Sequence, residues 1–188
     1  MGFAMTTFQV RPPAFEPVGL AAAKAHLRVD GDDEDAVITG LVAAARAHVE
    51  AVTRRALAVQ GWRCVLGAIP RDGRVRLRPG PVGAVTAVAA FDADGVEVAV
   101  PEGDWRLAPA EPDMIVLGRL PAAPNGIEID FDTGYATAEA APAPLKQAIL
   151  MLVAYWFENR EAAALGAVAG PAALAFEALV APFRELRL

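Results

Sequence analysis

Apolar and polar positions alternate with two different periods along this chain. From residue 18 to 29, Leu20, Ala23 and Leu27 stand at helical spacing. From about Glu34 to Arg55, Val37, Ile38, Leu41, Val42, Ala45, Val49 and Val52 recur on one side, which predicts a long amphipathic helix. Asp30–Asp33 breaks the two apart. Asp32 or Asp33 is a ready N-cap, and Glu34 and Asp35 place negative charge where the helix dipole favours it. From Gln60 to Tyr135 the period shortens, and glycine and proline punctuate brief apolar runs. Trp62–Leu66 and Arg74–Arg78 flank a loop with Asp72-Gly73. Val85–Phe91 and Val96–Val100 flank Asp94-Gly95, a hairpin signal. Trp105–Leu107, Met114–Leu117 and Gly126–Phe131 complete the predicted strands.

Helical spacing returns at Pro144–Arg160. Proline suits a first helical turn, where a backbone N–H has no partner anyway. Ala148–Phe157 is apolar at every position. A surface helix needs one apolar stripe, and spanning a bilayer takes roughly 20 residues. This segment therefore predicts cover on more than one face, from its own fold or from another subunit. Met151 and Tyr155 are the candidate outward, subunit-facing positions. After a small-residue loop over 162–171, Ala172–Val180 reads as a last short helix, ended by Pro182.

The predicted fold class is α+β: a helical bundle core with an inserted small antiparallel β region. Residues 1–16, with Pro12 and Pro13 and no period, read as an extended arm. Residues 17–182 read as a single domain, with helices over 18–57 and 144–181 and a β insert over about 60–135. Residues 183–188 form a tail that docks.

Composition narrows the function classes. Of 188 residues, 55% are hydrophobic and 21% charged, which suits a packed core. The net charge of −6 argues against a free-standing DNA-binding module, without excluding a local basic patch. Cys64 is the single cysteine, so no intrachain disulfide is possible, and a reducing compartment fits. Met1–Val10 lacks the basic and apolar regions of a secretory signal, and no run reaches the length expected of a membrane span. There is no serine, which removes serine nucleophile schemes.

The remaining chemistry-bearing residues read mostly as structure. Asp30–Asp35 fails as a calcium loop, because its sixth position is Asp35 and its twelfth Leu41. His26 and His48 lie near the polar sides of their helices without a partner at metal spacing. Cys64 lies in a strand and is expected to be buried and inert. Gly80-Pro81-Val82-Gly83 lacks the lysine and helix of a phosphate loop. Asp130 and Asp132 share one face of a strand, with a surface position the default. Strand alternation puts Arg74, Arg76 and Arg78 on one face, able to track phosphates or dock an acidic partner, or simply to be solvated. Phe183, Leu186 and Leu188 alternate with Arg184 and Arg187 in a tail that must fold back or dock into a partner.

Leu20–Leu57 resembles the opening block of the head–tail connector, or adaptor, proteins of tailed phages and prophages. It has a short helix ending in Leu27-Arg28-Val29-Asp30, a Glu34-Asp35 start to a long helix, Ala44-Ala45-Arg46, and a Thr53-Arg54-Arg55-Ala56-Leu57 close. Trp62 and Thr133-Gly134-Tyr135 also resemble that family. So do Leu145-Lys146-Gln147-Ala148, Trp156-Phe157-Glu158-Asn159-Arg160-Glu161 and the ending Leu179–Arg184. Gene-transfer agents, which are domesticated phage-like particles, use similar adaptors, and an alanine-rich, serine-free chain suits a GC-rich host. Three departures stand out: Gly19 where the family commonly has Ser or Thr, a large β insert, and an arm before Pro17 without counterpart.

The resemblance implies a structural role with no catalytic residue, cofactor or metal. Such proteins form a homo-oligomeric ring, most often of twelve subunits, below the portal at the head–tail junction of a particle assembled in the bacterial cytoplasm. They bridge the portal protein to a tail-side stopper or tail terminator, with passing DNA in the lumen and no membrane involved. On that resemblance, Phe183, Arg184, Leu186, Arg187 and Leu188 are candidate portal-binding residues. Arg74, Arg76 and Arg78 are candidates to face the lumen DNA or a partner. Two other readings stay open: a nucleic-acid-binding module using the Arg74–Arg78 face, and a small-molecule enzyme using carboxylates.

Overall fold

The long helix forms where its stripe predicts it, and helices from both ends of the chain pack on it. The structure, a computed structural model, describes residues 5–159 and 170–184. It groups them into two units. The helical unit runs over Phe15–Ala58 and onward from Tyr135. It holds α1 (Leu20–Leu27), α2 (Asp35–Thr53), α3 (Ala143–Glu158), α4 (Pro171–Val180) and a 3-10 turn over Ala181–Phe183.

Ile38, Val42, Ala45 and Val49 of α2 are buried in one apolar cluster with Leu145, Ala148, Ile149, Leu152, Val153 and Trp156 of α3. Leu41 and Val52 pack at its edge, whereas Val37, expected in the stripe, is exposed. At 19 residues, α2 is long and apolar enough by length and composition to cross a membrane, contrary to the expectation that no run would be. One buried stripe with polar positions elsewhere is the pattern of an amphipathic helix packed on one face.

Helix ends depart from expectation in one respect. The N-cap of α2 is Glu34, without a side-chain cap bond. Asp32 instead reaches Lys24 Nζ at 2.8 Å, and Asp35 reaches the same amine at 2.7 Å. The pull of a lysine ammonium outcompetes a cap in this turn, and it holds the Asp32 carboxyl below the usual range. Gly19 starts α1 with no side-chain bond, as its lack of a side chain requires.

Pro144 lies in the first turn of α3, behind the N-cap Pro142. Asn159 closes the helix by donating both Nδ2 (2.8 Å) and its backbone N–H (3.0 Å) to the Tyr155 carbonyl. The expected helix end at 160–161 and the loop over 162–169 lie outside the described residues.

The β unit comprises the residues up to Ala14 and Val59–Gly134. Its strands are β1 (Met5–Arg11), β2 (Gln60–Leu66), β3 (Arg74–Arg76), β4 (Val82–Phe91), β5 (Glu97–Ala99), β6 (Trp105–Ala108), β7 (Glu111–Leu117) and β8 (Ile127–Thr133). They form a five-stranded sheet ordered β1-β2-β8-β4-β5 and a three-stranded sheet ordered β3-β7-β6. Pairing between neighbours is antiparallel throughout. Cys64, Leu66, Val88, Ile127, Ile129 and Phe131 of the first sheet share a core with Val75, Leu77, Ile115 and Leu117 of the second.

One feature of this unit differs from expectation. Residues 5–11, expected as arm, form the edge strand β1, with Thr7 opposite Cys64 and Phe8 opposite Arg63. Six of its seven residues are exposed, so no alternation of buried and polar positions marks it. The runs flanking the Asp72-Gly73 loop enter different sheets, β2 the five-stranded one and β3 the three-stranded one. The β4–β5 hairpin is as expected. Asp92 Oδ1 accepts the Asp94 and Val96 N–H groups, both at 2.9 Å, and Gly95 takes φ +77°.

Two glycines with positive φ separate backbone geometry from packing. Gly126 (φ +94°) lies against the Leu66 carbonyl, where a Cβ would collide, whereas Gly95 faces open space. Gly126→Ala should therefore cost about 2 kcal/mol or more and Gly95→Ala about 1 kcal/mol, checked by urea unfolding of both variants. Equal costs would show that the Leu66 contact does not matter.

Candidate functional site

The three-stranded sheet sorts its arginines by register. Arg74 and Arg76 point outward on either side of buried Val75. Both reach the carboxylate of Glu111 on β7: Arg76 Nη2 lies 2.8 Å from Oε2, and Arg74 pairs with Oε1. Arg78 lies beyond the strand and does not join them. It is half-buried and donates to Asp113 Oδ2 at 2.9 Å. Asp113 Oδ1 accepts the Val82 N–H at 3.0 Å, and the same carboxylate lies against Gly80. Arg78 thus pins the Pro79-Gly80-Pro81 turn. Register adds a residue that sequence reading missed. Arg74 lies opposite Val116, and Val116 opposite Arg106, so Arg74, Val116 and Arg106 form one row across the sheet. Arg106 is exposed and has no ion-pair partner among the described residues. Only strand pairing, invisible in one sequence, could have placed it there.

The outer face of the five-stranded sheet carries a separate ion-pair network. Arg63 donates from Nε and Nη2 to Asp130, at 2.6 and 2.8 Å. Its Nη1 lies 2.8 Å from Glu128. Arg11 reaches Asp132 at 2.6 Å. Asp130 and Asp132 therefore share one face as alternation predicts, and both are engaged. Beside them a shallow cleft is lined by Val65, Phe91, Gly95, Asn125, Ile127 and Glu128. Its one carboxylate is already paired, and no second acid converges on it as carboxylate catalysis would need. Cys64 is buried, and burial pushes its thiol pKa up, away from the reactive thiolate.

In the helical unit, Met151 and Tyr155 are half-buried and lie at the margin of the apolar cluster. A second face of α3 is packed by α4 through Phe176 and Val180. Phe183 packs on the same cluster, and its carbonyl accepts from Arg55 Nε at 3.3 Å. Arg184 pairs with Glu177 at 2.6 Å. Both residues are thus engaged within their own unit. Leu186, Arg187 and Leu188 lie outside the described residues. Leu174 of α4 stands 75% exposed.

His48 departs from its expected polar position. It is half-buried, with its ring 5.9 Å from Trp156 edge-on and 5.5 Å from Phe176. Helical spacing places it one residue off the α2 stripe, which hides a contact supplied by α3 and α4.

The fold and these surfaces describe an α+β protein rich in intersubunit candidates. The family model described as phage gp6-like head-tail connector protein matches residues 18–93. A chain in the neck of an empty gene-transfer-agent (GTA) particle computed with C6 symmetry superposes with TM-score 0.82 and 30% identity, covering 97% of both chains. A chain in the virion of a native GTA particle gives TM-score 0.81 and 32% identity, again over 97% of both. One in the neck of a native GTA particle computed with C12 symmetry gives 0.71 and 30%, over 95% of this chain and 97% of that one. No curated protein sequence matches the chain. The chain belongs to the phage gp6-like head-tail connector family.

The His48 site makes stability depend on pH in a defined direction. Burial lowers its pKa below 6.5, and Glu177 acts more weakly the other way. The unfolded chain then binds the proton better than the folded one. The contribution is full above about 6.5 and is lost as pH falls through the folded value. Thermal melts from pH 7 downward should show His48→Gln losing less stability than the parent across this window. Parallel curves would exclude the coupling.

Proposed function

We propose that this protein is a structural head–tail adaptor of a phage-like particle, forming a ring below the portal that joins the DNA-filled head to the tail. The observation that carries the reading is likeness along 97% of the chain, at 32% identity, to a chain of a native GTA virion. The C6 and C12 symmetries of the related necks support a ring, with twelve subunits the copy number proposed. The portal on one side and a stopper or tail terminator on the other are the proposed neighbours, and DNA passes through the lumen. No catalytic step is assigned. The half-buried apolar margin at Met151 and Tyr155 is the proposed subunit contact of α3. Residues 185–188, following the docked Phe183 and Arg184, are the proposed portal anchor. Glu111 and Asp113 neutralise most of the charge of Arg74, Arg76 and Arg78, which favours a partner-facing role over a track for DNA.

Electron microscopy of the particle tests the ring: density for twelve copies under the portal is expected, and its absence from the neck overturns the proposal. Two variants test its parts. Tyr155→Lys should leave the thermal melt of the isolated protein within a few degrees of the parent, a change of about 1 kcal/mol or less, and should block incorporation into particles. A chain ending at Arg184 should fold normally and yield unjoined heads and tails. Particles of normal infectivity or transfer activity from that chain would remove the anchor role from the tail.

A further inference from the structure

A closed ring of identical chains needs a heterologous contact, in which one patch of each subunit fits a different patch of the next. The β unit carries two such patches, opposite in charge.

The first is the β4–β5 hairpin. Every residue from Ala93 to Ala99 is exposed. Val96 in the turn and Val98 on β5 are exposed by 57% and 37%, an apolar surface beside an open edge. Asp94 has no ion-pair partner among the described residues, Glu97 makes no salt bridge there and acts on Arg63 only through a weaker Coulombic attraction, and Glu102 follows on the 3-10 turn over Glu102–Asp104. β5 is an edge of the five-stranded sheet, so one side of its backbone is unpaired.

The second is the row Arg74–Val116–Arg106, with Arg76 beside it, on the outer face of the three-stranded sheet. Here an apolar residue stands between two arginines in the cross-strand register. Glu111 satisfies Arg74 and Arg76 in the single chain, and Arg106 is left with no ion-pair partner among the described residues. The first patch is acidic and apolar and the second basic and apolar. They lie on different sheets of one unit, and no ion pair joins them among the described residues.

The geometry points to a subunit contact in which the Asp94–Val98 hairpin of one copy docks on the Arg74–Val116–Arg106 row of the next, with the proposed ring as its setting. Charge complementarity selects a second copy: Glu111 offsets one of the three arginine charges and leaves the patch basic, while the hairpin supplies both carboxylates and an apolar lip. Rim charges of this kind act mainly on encounter and register and are screened by salt.

The test uses full-length protein in assembled particles. The chain's one native cysteine, Cys64, is buried, so an Asp94→Cys, Arg106→Cys double variant places the reactive thiols at the contact. Mild oxidation should give a ladder of linked subunits, while each single variant stays monomeric on a denaturing gel. Charge reversal gives a second readout. Asp94→Arg with Glu97→Arg should abolish incorporation into particles, Arg74→Glu with Arg106→Glu should do the same, and the four changes combined should restore it. All these positions are exposed, and thermal melts check that each variant folds. Particles that contain the protein in a ring but give no ladder overturn this contact and leave the adaptor reading intact. Arg106→Glu particles that assemble normally but lose their hold on DNA assign the row to DNA and overturn it as well. Absence of the protein from the neck overturns the adaptor reading and the contact with it.

Discussion

The packing of α3 on α2 closes the molecule. α2 precedes the whole β excursion and α3 follows it, so every contact of Ile38, Val42, Ala45 and Val49 with Leu145, Ile149, Leu152 and Trp156 joins distant parts of the chain. Each fully buried side chain of this kind contributes roughly 1.5–3 kcal/mol. Doubling the length of the intervening loop costs only about 0.6 kcal/mol more in closure entropy. A large β insert is therefore tolerated once the helical contact is strong. Polar contacts reinforce the site where the chain leaves and re-enters. Arg46 donates to Glu16 at 2.8 Å and to Glu50 at 2.7 Å, and Glu50 in turn accepts the Leu57 N–H at 2.7 Å. One half-buried arginine on α2 thus holds the segments on both sides of α1 and α2 against the helix.

Elements were legible in the sequence where one face is buried and the other wet. α2 shows this in its stripe, and β8 in the strict alternation of Ile127, Ile129, Phe131 and Thr133 with Glu128, Asp130 and Asp132. The β4–β5 hairpin was legible because Asp94-Gly95 carries its own turn chemistry. Two kinds of information were not legible. β1 is exposed on both faces, so it has no pattern to read. Partnership between strands is set by the shared core, and so β2 and β3 parted into different sheets although they neighbour each other in sequence. The same limit governed the surfaces. Alternation placed Arg74, Arg76 and Arg78 on one face. It could not show that Asp113 withdraws Arg78 from that face, or that Arg106 arrives on it from another strand. Asp32 was read as a cap from its position, and a lysine eight residues earlier claimed it.

Among the described residues, the surplus of apolar surface on α3 is only partly covered. α4 takes one share, and the margin at Met151 and Tyr155 is left half-buried. The β unit shows the complementary situation, with polar and apolar groups exposed at its edges and its interior complete. Under the proposed adaptor role both surpluses take the same meaning: surface left for copies of the chain and for its neighbours in a particle.

The strand order has a bearing on the birth of the protein. β8 is the middle strand of the five-stranded sheet and is flanked by β2 and β4, both made earlier. Until β8 has been made, β2 and β4 each lack the neighbour that pairs one of their edges. During that interval the nascent chain is held apart from its own sheet by the order of synthesis. The last strand to be made both unites the two earlier hydrogen-bonded halves and removes the two stickiest edges at once.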